Sequence, residues 1–469
     1  MKALGGITMV AERGAAYRAG LTGRRALVVG LARSGVAACR LLLASGARVV
    51  GTDARPLAAL GAEVRALGEA GVELAVGGHP SRLFEEAGLV VLSPGVPLTL
   101  APVAEARRRG TAIIGELELA YRAMEADLIA ITGTNGKTTT TALVGALLSD
   151  EPRPLLVGGN IGDPLSAHAL GFPPEGLAVA EASSFQLETI ETFHPRVAAV
   201  LNLTPDHVDR HGSFEAYREA KARIFLNQTT ADWAVLNADD PEVAALAERT
   251  RARAVFFSRR RPLGEGFSLR EGWIVARLDG RETRITPLRE IFLRGDHNVE
   301  NVLAATACAL WAGAAPSTLR KAIGALRGVA HRIEWVRELD GVAYYNDSKG
   351  TNVTSTLKAL ESFHEPVVLL AGGRGKGQDF TPLARGVTGR VRIAILIGED
   401  QAKLDEVLAP VTRVVRVEGM AEAVALARRV AVPGDVVLLS PACASFDMFR
   451  DFEHRGEVFK NAVLALEER

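Results

Sequence analysis

The chain has 469 residues, 48% of them apolar, and its 55 basic residues are balanced by 55 acidic ones. That length predicts roughly two to four domains with ample buried core, and the balanced charge, without any block of one sign, argues against nucleic-acid binding or a membrane surface as the main role. The three cysteines, Cys39, Cys308 and Cys443, lie far apart without metal-ligand spacing, so a reducing cytoplasmic location is expected. Residues 1–21 are too short and too interrupted, by Glu12 and Arg13, for a secretory signal or a membrane span, and read as a loosely ordered extension.

The first domain is expected over residues 1–115. Arg24-Arg-Ala-Leu-Val-Val-Gly30-Leu-Ala-Arg33-Ser34-Gly35 begins a strand, glycine turn and helix, and the next strand ends at Asp53, about where a dinucleotide fold places its ribose-binding acid. The turn reads Gly-x-Ala-x-x-Gly, with Ala32 where a second glycine would admit pyrophosphate most closely, so a nucleotide crevice other than one for NAD is expected. A plain βαβ packing unit remains the alternative for this stretch. The polar turn Ser93-Pro94-Gly95 follows another apolar strand and either completes the crevice or simply ends the strand.

The second domain, residues 116–328, holds the most informative stretch. The apolar run Leu128-Ile-Ala-Ile leads into Thr132-Gly133-Thr134-Asn135-Gly136-Lys137-Thr138-Thr139-Thr140-Thr141, ahead of a helix-prone segment at residues 142–148. Gly133 and Gly136 allow a tight turn whose N–H groups face anionic oxygens, with a helix N-terminus behind them. Lys137 would bridge outer phosphates and the Thr138 hydroxyl would hold magnesium. The spacing is that of a shortened phosphate loop, with the first glycine only three positions before Gly136.

Three later strand ends add to it. Gly158-Gly-Asn160-Ile-Gly162 presents an amide among glycines. Leu177-Ala-Val-Ala-Glu181 delivers a carboxylate where open α/β sheets bind ligands, suited to magnesium. Asn202-Leu-Thr-Pro-Asp206-His207-Val-Asp209-Arg210-His211 crowds ionisable groups after one strand, where His207 is either a second metal ligand or a helix cap or surface pair. Residues 253–294 predict a small antiparallel accessory sheet. An apolar helix then begins near His297, with Asn298 and Asn301 as amides able to face an adenine ring.

A third α/β domain is expected over 329–469, entered through a hinge at His331-Arg332. Its strands end in the polar loops Asn346-Asp347-Ser348-Lys349-Gly350-Thr351-Asn352, Gly372-Gly-Arg374-Gly-Lys376-Gly and Ser440-Pro-Ala-Cys-Ala-Ser445-Phe446-Asp447. Lys349, Arg374 and Lys376 suit a small dicarboxylate, with solvated loop charge as the alternative.

Taken in order, the 131–140 loop, Gly158-Gly-Asn-Ile-Gly, Ser183-Ser-Phe-Gln-Leu-Glu188, Asp206-His-Val-Asp-Arg, Tyr217-Arg-Glu-Ala-Lys221, His331-Arg332, Asn346-Asp-Ser-Lys-Gly-Thr-Asn and Ala442-Cys-Ala-Ser-Phe-Asp resemble the Mur ligase superfamily, which includes folylpolyglutamate synthases. The resemblance runs from about Leu27 onward. It implies three domains: a Rossmann-like N-terminal one for a UDP-substrate, a central phosphate-loop ATPase-like one with the small accessory sheet, and a Rossmann-like C-terminal one for an amino acid. It further implies an ATP-dependent carboxylate–amine ligase of cytoplasmic peptidoglycan precursor synthesis, joining D-glutamate to UDP-N-acetylmuramoyl-L-alanine through an acyl phosphate, as a monomer with no nucleic-acid partner and no membrane insertion.

The residues implied for ATP are Gly133, Thr134, Asn135, Gly136, Lys137, Thr138, Thr139, Asn298, Asn301, Arg332, Asp347 and Lys349. Arg33, Ser34, Asp53, Arg55, Ser93, Gly95, Asn160 and His207 would take the UDP-substrate, and Thr351, Lys376, Ser445, Phe446 and Phe452 would take D-glutamate. Lys137, Glu181, His207, Lys221 and Arg332 would be catalytic. Two Mg2+ ions are implied, held by Thr138, Glu181, His207 and a carbamylated Lys221. Two departures stand out: Arg374 where an acid often precedes Gly-Lys, and Met448 where glutamine is usual. Rival readings are a sister ligase, a nucleotide-gated regulatory protein and a Rossmann oxidoreductase.

Overall fold

The computed structural model describes residues 13–326 and 328–468. They form a three-domain α/β architecture with one sheet per domain, as expected from the alternation of apolar runs and glycine turns. The chain divides into two compact units, one of residues 1–288 with 300–322 and the other of 289–299 with 323–469.

In the first unit, β1 (Arg25–Val29), β2 (Arg48–Asp53), β3 (Glu73–Val76), β4 (Leu89–Leu92) and β5 (Ala112–Gly115) make a parallel sheet in the order β3-β2-β1-β4-β5. The chain leaves β1 toward one side and returns on the other at β4, so their C-terminal ends flank a switch point where open sheets take ligands. Ahead of β1, residues 14–19 are helical and Leu21 is buried at 1% exposure. The Arg13 guanidinium lies 4.0 Å from the Tyr121 ring centre and donates to the Ala126 carbonyl. The loosely ordered extension expected over 1–21 is thus corrected from Arg13 onward, because a cation–π contact and apolar burial fasten it; its first twelve residues lie outside the described part.

The same unit holds a nine-stranded sheet of β6 (Asp127–Thr132), β7 (Leu155–Gly159), β8 (Leu177–Glu181), β9 (Val197–Val200), β10 (Trp233–Asn237), β11 (Arg253–Ser258), β12 (Gly266–Arg270), β13 (Trp273–Leu278) and β14 (Arg281–Pro287). Strands β6, β8 and β9 are buried almost throughout, as parallel strands covered on both faces must be. Register sets Ile131 beside both Glu181 and Ala199, so the phosphate-loop candidate and the acid leave the sheet at one level. Antiparallel pairing does occur late, at β12-β13-β14. The expected accessory sheet is nevertheless not separate: β11 pairs in parallel with β10, and β12 continues from it, so these strands extend the central sheet. Alternation in the sequence reports strand pairing type, not the sheet a strand joins.

The second unit contains β15 (Glu334–Leu339), β16 (Val342–Asn346), β17 (Val367–Gly372), β18 (Val391–Ile397), β19 (Arg413–Arg416) and β20 (Val436–Leu439), ordered β15-β16-β20-β17-β18-β19. Only the β15–β16 pair is antiparallel. Apolar clusters cover both faces of this sheet. The last strand, β20, inserts between β16 and β17, which brings the three polar loops of this domain to adjacent strand ends.

Candidate active site

The loop after β6 turns at Gly133 (φ 152°) and Gly136 (φ 82°), values that favour glycine. A Cβ on Gly136 would come within 2.3 Å of Asn301 Oδ1, so the backbone packs directly on that amide. The following helix spans Lys137–Leu147 and begins five residues before the segment read from sequence. Four consecutive threonines obscured its start; Thr139, Thr140 and Thr141 turn out to be buried in its first turns. Lys137 Nζ folds back to donate to the carbonyls of Gly133 and Thr134 at 2.8 Å each. The loop thereby presents N–H groups, a helix N-terminus and an ammonium together, the chemistry of an anion cradle.

Behind this loop sits Lys221, on the helix Phe214–Ala222, with 2% exposure. Its Nζ donates to Gly133 O at 2.9 Å and to Thr132 Oγ at 3.3 Å and lies 4.8 Å from the Tyr217 ring centre. Burial, reinforced by the Lys137 charge, pulls its pKa down to about 7 against the smaller opposing influence of Asp206 and Glu181. With its pKa lowered toward neutrality, Lys221 holds a larger share of the nucleophilic neutral amine near pH 7 than a solvated lysine does.

Glu181 ends β8 at 2% exposure. Asn160 Nδ2 donates to its Oε1 at 2.7 Å, whereas its Oε2 is buried without a hydrogen-bond partner. Such an orphaned carboxylate oxygen is costly unless something completes it, and a magnesium ion is the kind of group that fits. Just beyond, Ser183 and Gln186 form a capping box that fixes the short helix Ser184–Leu187.

His207 adopts a left-handed backbone (φ 50°) at the start of the Val208–His211 turn of helix and remains half-exposed, its ring 4.9 Å from that of Phe185. It occupies the N-cap position of that turn without a side-chain capping bond, and its Nε2 lies 3.6 Å from Asp206 Oδ2 at the surface. Among the described residues no three His, Cys, Asp or Glu side chains gather as a metal site.

At the first domain's switch point, Ser93 Oγ donates to Gly30 O at 2.7 Å and joins the two turns. Asp53 Oδ2 accepts from the Leu31 N–H, and Arg55 binds both carboxylate oxygens, which holds the acid well below the usual carboxylate range. Asp53 thus braces the turn itself. Arg33 donates to Gly162 O at 2.6 Å and Arg210 to Gly95 O at 3.3 Å, so the two domains of this unit meet beside the candidate UDP residues Ser34 and Gly95.

In the second unit Asp347 is buried, accepts from Ser440 Oγ at 2.7 Å and from the Ile333 N–H, and burial raises its pKa to about 7. Lys349 Nζ stands 3.7 Å from the Phe452 ring centre. The Arg374 side chain pairs with Glu399 at 2.7 Å, while its backbone bridges to Ala444 independently of that side chain. Lys376 takes φ 55°, Ser445 is buried and Phe446 is 61% exposed. Met448 lies at the surface, and Thr351 borders the loop at Gly350. Arg332 flanks the buried His331, its charge acting on Asp347. Asn298, also in this unit, donates to Arg294 O at 2.7 Å.

Asn202 and Arg455 are positioning residues to which the sequence assigned no role. Asn202 accepts from the Asn135 N–H at 2.7 Å and donates back to Asn135 O, and Thr134 Oγ meets Tyr217 O–H at 3.0 Å. A polar residue two positions after β9 was the available signal for Asn202. Nothing local marks Arg455, which is wholly buried near the second unit's loops.

A buried-lysine wall behind a phosphate-type loop, on a three-sheet α/β chain, defines a nucleotide-binding protein of the phosphate-loop class. Residues 24–115 match the Mur ligase MurD-like N-terminal domain, 131–309 the Mur ligase middle domain and 331–443 the Mur ligase glutamate ligase domain. The chain is 49% identical over 447 residues to the UDP-N-acetylmuramoylalanine--D-glutamate ligase of Pelotomaculum thermopropionicum, covering 95% of this chain and 98% of that protein. It is 47% identical to the enzyme of the same name from Geotalea uraniireducens, over 96% and 99% of the two chains. The chain belongs to the Mur ligase family. Among solved structures its fold is similar to MurF ligase from Thermotoga maritima in complex with ADP, at TM-score 0.55, 16% identity and coverage of 97% and 98%. It is likewise similar to UDP-N-acetylmuramate-alanine ligase MurC from the same organism, at TM-score 0.56, 19% identity and coverage of 94% and 99%.

Proposed function

We propose that this chain joins D-glutamate to UDP-N-acetylmuramoyl-L-alanine at the expense of ATP, giving ADP and phosphate, in cytoplasmic peptidoglycan precursor synthesis. The full-length likeness to ligases of that name supports the reaction class and substrates. The observation that carries the chemistry is the pairing of an anion-cradling loop with Lys221 and the orphaned Glu181 oxygen behind it.

In this reading residues 1–115 take the UDP-substrate through Arg33, Ser34, Asp53, Arg55, Ser93 and Gly95, with Asn160 and His207 on the muramoyl side. Residues 116–328 take ATP through the 133–139 loop and Asn301. Residues 329–469 take D-glutamate through Thr351, Lys376, Ser445, Phe446 and Phe452, and Asn298, Arg332, Asp347 and Lys349 complete the nucleotide contacts. The substrate carboxylate attacks the γ-phosphorus as the bond to ADP breaks. The amine of D-glutamate then attacks the acyl carbon, and phosphate leaves with its electron pair while the amine sheds its proton. Lys137 and Arg332 offset charge that accumulates on the transferring group.

Thr138, Glu181 and His207 are the residues that would hold Mg2+, which would neutralise phosphate charge there. The neutral Lys221 amine can add to CO2, forming an N–C bond and releasing a proton, and the resulting carbamate supplies an anion beside Glu181. No helix among the described residues is long and apolar enough to cross a membrane. The three cysteines are buried and free, and burial pushes each thiol up to about 12. We further propose that the enzyme acts as a monomer, checked by light scattering.

The test is phosphate release from ATP with Mg2+, the UDP-precursor and a panel of amino acids, each component omitted in turn. Release that requires the precursor and selects D-glutamate is expected. Selection of another amino acid would assign the chain a sister activity, and no release with ATP still bound would overturn the ligase reading.

A further inference from the structure

Arg455, on the helix Phe452–Leu464, has 0% exposure. Its guanidinium makes three well-formed bonds: Nε to Ser348 Oγ at 2.9 Å, Nη2 to Ser348 O at 2.8 Å and Nη1 to Cys443 O at 3.0 Å. Ser348 Oγ donates in turn to Phe452 O at 2.8 Å, closing the arrangement back on the first residue of the Arg455 helix. These partners are a hydroxyl and two carbonyls, not carboxylates. A buried cation held in this way is an expensive means of filling a core, and an apolar side chain of similar volume would serve stability as well or better. What the planar fork supplies instead is geometry, since its donors fix three acceptors at set distances and angles.

The acceptors belong to two different strand ends. Ser348 precedes Lys349 and Thr351 on the loop after β16, and Cys443 precedes Ser445 and Phe446 on the loop after β20. The helix bearing Arg455 also carries Phe452, against whose ring Lys349 rests. One guanidinium therefore ties together all three segments assigned to the amino acid apart from Lys376, and the Arg374–Ala444 bridge attaches the Lys376 loop to the same assembly.

We infer that Arg455 is a positioning residue for the amino-acid site: it sets the spacing between the Ser348 and Cys443 loops without touching the substrate. This rests on the assignment of those loops to D-glutamate. Lysine in its place keeps a charge but cannot bond Ser348 and Cys443 in the same plane.

The experiment compares Arg455→Lys, Arg455→Met and Ser348→Ala with the unmodified full-length chain. KM for each of the three substrates is measured, together with hydroxylamine trapping of the acyl phosphate without D-glutamate, in which the hydroxylamine nitrogen bonds the acyl carbon and phosphate leaves. Arg455→Lys and Arg455→Met are expected to raise KM for D-glutamate roughly tenfold or more while leaving KM for the UDP-precursor and the trapping rate within about twofold. Ser348→Ala removes one of the three acceptors and is expected to shift KM for D-glutamate in the same direction by a smaller factor. An unchanged KM for D-glutamate in Arg455→Lys, or an equal loss of trapping and of coupling, would overturn the inference. Should both Arg455 variants fail to fold, Ser348→Ala decides: a D-glutamate KM within twofold of the unmodified chain overturns it. If the unmodified chain itself shows no D-glutamate-dependent release, the ligase reading has failed instead, which is a separate result.

Discussion

The loop clusters of the central and third domains are built from similar residues and balanced differently. At the ends of β6 and β8, polar groups retain unmet capacity: Glu181 Oε2 has no partner, and the Lys221 amine is buried against one carbonyl and one hydroxyl. At the ends of β16, β17 and β20 the chain satisfies most of its own charge, with Asp347 on Ser440, Arg374 on Glu399 and Arg455 on three acceptors. The contrast is one of degree, because Asp447 Oδ1 is also buried without a partner. Under the proposed assignment, the cluster that handles phosphate holds groups left for a ligand to complete, whereas the one that selects a small amino acid depends on loops held in place.

The largest test of this difference is Lys137→Ala, expected to lower kcat on the order of a thousandfold by removing the loop ammonium, as read by phosphate release. Lys221→Ala is expected to cost on the order of a hundredfold. In the unmodified chain, activity should fall when CO2 is stripped from the buffer and recover with bicarbonate; indifference to CO2 would remove the carbamate from the account. Glu181→Gln keeps shape and loses charge, and is expected to raise the Mg2+ concentration for half-maximal activity by roughly tenfold.

Stability offers a smaller effect of opposite sign. The Lys221 pKa is lowered on folding to about 7, so between there and the ordinary lysine range the unfolded chain binds more protons and stability rises with pH. The burial penalty is therefore greatest below about pH 7, and Lys221→Met is expected to raise the melting temperature most there, with a gain that shrinks as pH approaches the ordinary lysine pKa of about 10.4. A pH-independent gain would contradict the buried-amine assignment. Smallest of all, Glu399→Gln breaks an ion pair whose side chains are about half-exposed, and it is expected to change stability by less than about 1 kcal/mol and kcat by less than about twofold.

Much of this site was legible because its chemistry is local. Glycine positions, a lysine and hydroxyls after an apolar run, and an acid ending a buried strand each announce themselves within a dozen residues. The three-sheet plan was legible for the same reason, since strand, turn and helix signals alternate along the chain. The helix start at Lys137 and the fate of β11–β14 were not, because threonine has weak helix preference outside its context and the sheet a strand joins depends on distant partners. Asp53 illustrates the same limit: its strand-end position was readable, but its bonds to Leu31 and Arg55 were not.

By itself, then, the sequence determined the order of the three domains, the loop that suits phosphate and the residues at each strand end. Only the tertiary structure decided that Lys221 lies behind Gly133 with a pKa near 7, that one Glu181 oxygen is left unpaired, and that Arg455 joins two loops. Those properties come from desolvation and from contacts between residues 12 to 107 positions apart, and no local pattern of side chains specifies either.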